Sequence, residues 1–174
     1  MSVVMLLFDT GAAAVRVYAA LMFVAAGLTK FHDRDGFAAT VAAYRLLPAG
    51  AAAVIAAMLP PIELAIGAAL VVPDLRIAAP AAAMLLALFA LAAAINLMRG
   101  RRDLDCGCGT GARIGWGLVA GNLALSILLV ATLGAGQPPL GLMAAAAALS
   151  FGLWLCARVR ATLAALPPLR RQMA

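Results

Sequence analysis

Charge is what this chain of 174 residues is shortest of: Asp, Glu, Lys and Arg make up 11%, roughly half the share usual in soluble domains. Acidic side chains are scarcest, 7 against 13 basic ones, and Glu63 is the only glutamate. Hydrophobic residues make up 66%, where soluble domains carry about 45–50%. A small fold leaves much of its surface in water, and so few polar groups cannot cover it. That excludes a soluble enzyme, a disordered chain and a secreted disulfide scaffold. Zinc ligands are short as well. Structural zinc takes four Cys or His ligands, and the chain has 3 Cys and 1 His. Aromatic residues are 6% and do not interleave with basic ones, so the net charge of +6 is not a nucleic-acid footprint. No nucleic-acid partner is expected.

What the chain does have is long, continuous apolar runs rich in Ala and Leu. Transmembrane barrel strands alternate apolar and polar residues, so the runs predict helices. A helix needs about 20 apolar residues to cross the hydrocarbon layer. Five stretches qualify, at about 11–29, 46–72, 77–98, 114–133 and 140–157. The fold class is therefore all-α, a polytopic transmembrane bundle of about five spans forming one domain over 1–174. Met1–Phe8 is apolar without a basic flank. It reads as an extension of the first span or an interfacial segment, not as a cleavable signal peptide. Pro60-Pro61 falls mid-way along the second span and is expected to kink it.

Basic residues set the orientation. Lys30, Arg34, Arg45, Arg99, Arg101, Arg102, Arg113, Arg158, Arg160, Arg170 and Arg171 fall on one side, and Arg76 alone on the other. By the positive-inside rule the N-terminus is expected outside and the C-terminus in the cytoplasm. In this reading Lys30 belongs to the first cytoplasmic connection, and His32 and Asp33 to a solvated loop there.

Cys106-Gly107-Cys108 lies shortly before the fourth span. Two thiols one residue apart can close a small strained disulfide, and strained disulfides are the labile, redox-active ones. The flanking glycines permit the backbone angles of such a ring. A helix start favours the thiolate; Arg101, Arg102 and Arg113 act in the same sense, Asp103 and Asp105 against it. Three readings stand at this level: a redox pair, a soft-metal site, or a plain turn with inert thiols. Cys156, at the end of the fifth span, is either a resolving thiol or simple packing.

Arg16 and Glu63 are the ionisable residues inside spans. An intramembrane carboxylate is costly and marks a candidate site with a partner to be named. Arg16 is the expected partner. Counted from the cytoplasmic ends of their spans, the two lie about 21 Å and about 26 Å deep at helical rise. The pair reads either as a lock on helix register or as a proton or quinone site. Asn96 and Asn122 are expected to hydrogen-bond to neighbouring helices, and Gly117-x-x-x-Gly121 to allow close helix packing. Trp116, Trp154, Tyr18 and Tyr44 read as interface anchors or packing.

Four segments in order resemble the MauE family of methylamine utilisation membrane proteins, which is related to the DoxX-like group. They are F-V-A-A-G-L-T-K-F over 23–31, Y-R-L-L-P over 44–48, L-P-P-I-E-L-A-I-G over 59–67 and N-L-M-R-G-R-R-D-L-D-C-G-C-G over 96–109. The last is the most specific. The chain departs from the family pattern after the second cysteine, where Gly109-Thr110-Gly111 stands in place of an aromatic residue followed by Gly.

The resemblance implies a multi-pass protein of the bacterial inner membrane that acts in thiol–disulfide chemistry while an exported protein matures. In methylamine utilisation the client is the disulfide-rich small subunit of methylamine dehydrogenase, and a thioredoxin-like partner assists. The resemblance assigns Cys106 and Cys108 to the family's cysteines, Glu63 to its intramembrane acid and Lys30 to its first-loop lysine. No cofactor or metal is expected. The expected partners are the lipid bilayer, a thioredoxin-like redox protein and an exported client. Disulfides form outside the cytoplasm, whereas the arginine count puts the cysteines near the cytoplasmic face. Either they receive reducing equivalents from a cytoplasmic donor for transfer across the membrane, which is the favoured reading, or their loop folds into the bundle. Two rival functions are a structural or assembly subunit of a larger membrane complex, and a small metal-handling protein.

Overall fold

The computed structural model describes residues 2–72, 75, 77–107, 112–136 and 138–165, the last five by backbone alone. Cys108, Gly109-Thr110-Gly111, Arg76, Arg170 and Arg171 of the sequence reading lie outside the described residues. The described residues form six α-helices: α1 Val3–His32, α2 Arg34–Ala43, α3 Ala49–Leu70, α4 Ala78–Met98, α5 Trp116–Ala131 and α6 Leu140–Ala165. Five of them, all but α2, are long and apolar enough to cross a membrane. The described residues contain no strand, only an isolated antiparallel bridge between Asp105 and Arg113. The protein is a multi-pass, all-helical membrane protein, as its composition requires.

Helix α1 is longer than the apolar run suggests. Ser2 caps it, its side chain accepting from the Met5 backbone N–H at 3.3 Å, so Val3–Phe8 extends the first span. Thirty residues make a helix about 45 Å long at 1.5 Å per residue, well beyond the roughly 30 Å hydrocarbon layer. Lys30 is therefore the third-last residue of a helix and is buried, not part of the connection between spans.

Asp33 divides α1 from α2. Its backbone N–H closes α1 on the Thr29 carbonyl, and its carboxylate caps α2 by accepting from Gly36 N–H at 3.0 Å. A Cβ at Gly36 would meet that carboxylate and make it shift. Helix α2 was not expected from the sequence. Its short length and its polar residues give no span signal, and it is held by packing on α3.

Helix α3 starts after Pro48, which sits in an extended conformation, and continues through Pro60 and Pro61 without a break in the helix. The two prolines bring no N–H donors to the turn before them.

Helices α1 and α3 are antiparallel and meet through two glycines. A Cβ at Gly27 would lie 2.9 Å from Leu64 and 3.1 Å from the Pro60 carbonyl oxygen; one at Gly67 would lie 2.8 Å from Val24 and 3.1 Å from the Ala20 carbonyl oxygen. These contacts fix the register, Gly27 against the 60–64 turn and Gly67 against the 20–24 turn. Gly67→Ala is expected to cost about 1–2 kcal/mol, because overpacking of about 1–3 kcal/mol exceeds the roughly 1 kcal/mol gain in helix propensity. A lowered unfolding midpoint in detergent checks it. The expected Gly117-x-x-x-Gly121 contact is not formed: a Cβ at either position would meet nothing within 4 Å.

The main core is built largely from alanine. Ala19, Ala20, Phe23, Ala79, Ala82, Ala83, Leu86, Leu125 and Leu129 form one buried cluster. Small side chains let helix backbones approach closely where lipid supplies no hydrophobic drive. Two hydroxyls tie helices directly, Ser126 donating to the Ala83 carbonyl and Ser150 to the Ala14 carbonyl, each at 2.8 Å. At the opposite end of α1 from Lys30, buried Asp9 accepts from Gly136 N–H at 2.8 Å. It anchors the segment leading into α6.

Candidate functional site

Glu63 lies one turn before Gly67 on α3 and is fully buried. Its partner is Lys30, not Arg16. Lys30 Nζ stands 2.5 Å from Glu63 Oε1, with the two side chains 6% and 1% exposed. The register explains the correction. Gly27 faces the 60–64 turn, and Lys30 follows Gly27 by one turn. Helical side chains lean toward the helix N-terminus, so the Lys30 stem brings its ammonium back to the level of Glu63. Arg16 lies near the far end of α3, where its guanidinium donates to the Val72 carbonyl at 3.5 Å. A cation there complements the negative end of the helix dipole. Sequence reasoning missed Lys30 by ending the first span at Thr29, although Lys30 is the only lysine among 13 basic residues.

Two aromatic faces complete the surroundings of the ammonium. Lys30 Nζ is 5.2 Å from the centroid of Phe37 on α2 and 5.5 Å from that of Phe89 on α4, both within cation–π range. The carboxylate is less well served. Glu63 Oε2 is buried and has no hydrogen-bond partner.

The cysteine segment rests against this group. Residues 104–107 run antiparallel beside 112–114 as the two arms of a hairpin, Cys106 N–H donating to the Ala112 carbonyl at 2.8 Å and Ile114 N–H to the Leu104 carbonyl at 2.9 Å. Asp105 Oδ1 accepts from Gly107 N–H at 2.7 Å, and Tyr44 Oη donates to the Asp105 carbonyl at 3.1 Å. Gly107 has φ +69, a left-handed backbone that favours glycine. A Cβ on Gly107 would touch Phe37 at 3.4 Å, so the hairpin sits on the same ring that covers Lys30.

Arg101 supports the frame, donating to Asn96 Oδ1 at 2.8 Å and to the Tyr44 carbonyl at 3.4 Å. Arg113 pairs with Asp103 at 2.9 Å on the surface. The expected helix-start effect on the thiols is not supported, because Cys106 lies in the hairpin while α5 begins only at Trp116. Asn96 also differs from expectation: its amide donates to Ala92 on its own helix. Cys156 is exposed on α6, so it is not packing.

A cavity of about 730 Å³ joins these elements. Cys106, Gly107, Phe37, Lys30, Glu63 and Phe89 all line it, and apolar side chains of α3 and α4 form much of its wall. The site therefore combines a cysteine, a buried Lys30–Glu63 ion pair and a large, mostly apolar chamber.

The segments that build this site carry a family likeness. The family described as "Methylamine utilisation protein MauE" matches residues 8–136, from α1 through the cysteine hairpin to the end of α5. The chain belongs to the MauE family. Curated relatives agree. A methylamine utilization protein MauE of Paracoccus denitrificans is 43% identical over 122 residues, 68% of this chain and 66% of that protein. Its namesake from Paracoccus versutus is 38% identical over 119 residues, 66% of this chain and 64% of that protein. One from Methylophilus methylotrophus is 41% identical over 93 residues, 53% of this chain and 49% of that protein. The chain thus spans just under two thirds of the length of the first two MauE relatives. No solved structure matches it. In this MauE-family chain α6 lies beyond the matched region, whereas Lys30, Glu63 and Cys106 all lie within it.

Proposed function

We propose that this protein supports thiol–disulfide exchange during maturation of an exported protein, with Cys106 and Cys108 as the exchanging pair. One observation supports the reading above all: the hairpin carrying Cys106 is seated on Phe37, directly over the buried Lys30–Glu63 pair. A cysteine placed beside a chamber that holds an acid and an ammonium has what proton-coupled thiol chemistry needs. In the exchange, a thiolate of a reduced thioredoxin-like partner attacks the Cys106–Cys108 disulfide to give a mixed disulfide. The partner's second thiol then resolves it, leaving Cys106 and Cys108 as thiols and the partner with its disulfide closed. Backbone hydrogen bonds at Cys106 and Leu104 keep the first cysteine in place for this.

The relatives' name supports a role in methylamine utilisation, with methylamine dehydrogenase, through its disulfide-rich small subunit, as the exported client. The arginine distribution supports an N-out, C-in orientation in the bacterial inner membrane. In that orientation the cysteines receive reducing equivalents at the cytoplasmic face.

Labelling Cys106 and Cys108 with a membrane-impermeant maleimide tests this reading. Intact cells and inverted vesicles are compared, with and without prior reduction. The expected result is labelling from the cytoplasmic side that rises sharply on reduction. Thiols that stay reduced under every growth and redox condition would overturn the proposal.

A further inference from the structure

We infer that the cavity beside Lys30 and Glu63 is a binding site for the head of an isoprenoid quinone; the redox part of this inference rests on the thiol–disulfide reading above. Three observations carry it. The first is size and access. About 730 Å³ lies within the roughly 300–1,000 Å³ of small-molecule sites. Met58 and Ile62 of α3, with Leu88 and Leu91 of α4, line the cavity and are 46–56% exposed on the outside of the bundle. The chamber therefore opens sideways, toward where lipid lies, and an apolar tail has a route in.

The second observation is the unmet acceptor. Glu63 Oε2 is fully buried without a hydrogen-bond partner, and Glu63 lines the cavity. A buried acceptor left unsatisfied costs free energy, so a donor supplied by a ligand is favoured there. An acyl chain offers none. The third is the pairing of donor and acceptor at one place. A quinone carbonyl accepts a hydrogen bond from Lys30 Nζ, and the hydroxyl of the reduced quinol donates one to Glu63 Oε2. The Phe37 and Phe89 rings flanking the ammonium give a planar head a surface to lie on.

The redox step balances without another reactant. The Cys106 and Cys108 thiols lose two protons and two electrons, two S–H bonds break and one S–S bond forms. The quinone takes up both electrons and both protons at its two oxygens and leaves as quinol into the bilayer.

The test uses the full-length protein in detergent with Trp116→Phe, which leaves Trp154, a cavity-lining residue, as the single tryptophan of two. The probe is decylubiquinone, a short-tailed benzoquinone. Saturable 1:1 quenching of Trp154 fluorescence is expected. Affinity should drop at least tenfold in the double variant Lys30→Met/Glu63→Leu, which removes both head contacts yet leaves no unpaired buried charge. Quenching that never saturates, or that the double variant leaves unchanged, would mean a groove filled by acyl chains and would overturn the inference.

Maleimide counting of thiols on the same samples separates the two proposals. Quinone that binds but oxidises no thiol removes the cysteine reading and leaves the quinone site standing. A Cys106–Cys108 disulfide that reduced thioredoxin opens, in a protein with no saturable quinone binding, does the reverse.

Discussion

Lys30→Met is expected to destabilise the protein by about 3–5 kcal/mol, the usual result of removing one partner of a buried ion pair. The magnitude comes from what stays behind. Glu63 is fully buried, its Oε1 depends on Lys30, and its Oε2 has no partner at all. Removing the ammonium leaves a carboxylate with no hydrogen bond inside an apolar bundle. Glu63→Leu should be comparably costly, since it strands the ammonium between two phenyl rings. The pair replaced together behaves differently. Lys30→Met/Glu63→Leu keeps similar volume and removes both charges, and such exchanges are commonly neutral or stabilising. The double variant should therefore be more stable than either single one, with a coupling of several kcal/mol. Unfolding midpoints in mild detergent for the four proteins give the cycle directly. Singles that are as stable as the parent would show that Lys30 and Glu63 do not form the pair described. Arg16→Met, in contrast, removes only a long contact to the Val72 carbonyl and should cost about 1 kcal/mol or less.

The second large effect concerns the cysteines. Cys106→Ser and Cys108→Ser, singly or together, are expected to abolish maturation of the client while the protein still inserts in the membrane. Serine is nearly isosteric with cysteine, and the hydrogen bonds that close the hairpin run through the backbone of Cys106 and through Asp105, Tyr44 and Ile114. Those hydrogen bonds survive the exchange at Cys106, but serine cannot form or break a disulfide. Either single variant should fail like the double one, because the disulfide that the partner opens needs both sulfurs. The readout is the yield of disulfide-bonded client, with membrane content of the protein measured alongside. Normal maturation in the double variant would falsify the redox role. A single variant that accumulates a mixed disulfide with its partner would identify the remaining cysteine as the one the partner attacks.

Much of the architecture is legible from composition alone. An apolar run of about 20 residues bounded by arginines or Gly-Pro turns has few options in a bilayer, where backbone groups must be satisfied within the segment. Hence α4 was expected to within a residue at either end. The ends of α1 were harder. Asp9, Lys30 and His32 interrupt the apolar run, yet a helix needs only capped termini to continue. Ser2 and Asp33 supply the caps. Helix α2 left no span signal because it is held by packing on α3 rather than by an apolar run of its own.

The candidate site divides in the same way. Cys106, Cys108 and Glu63 stand out because thiols and an acid are rare in this chain. The partner of Glu63 did not, because similar depth is an insufficient criterion. Which cation meets a buried acid depends on how far one helix slides along the next. The sequence by itself determined an all-helical, five-span membrane protein with a cysteine pair next to a short connection. Only the tertiary structure decided that Lys30 neutralises Glu63 and that the cysteine hairpin lies over that pair. The reason is physical: spans follow from the apolar content of each segment separately, whereas register follows from where two backbones can touch, and here Gly27 and Gly67 are where they do.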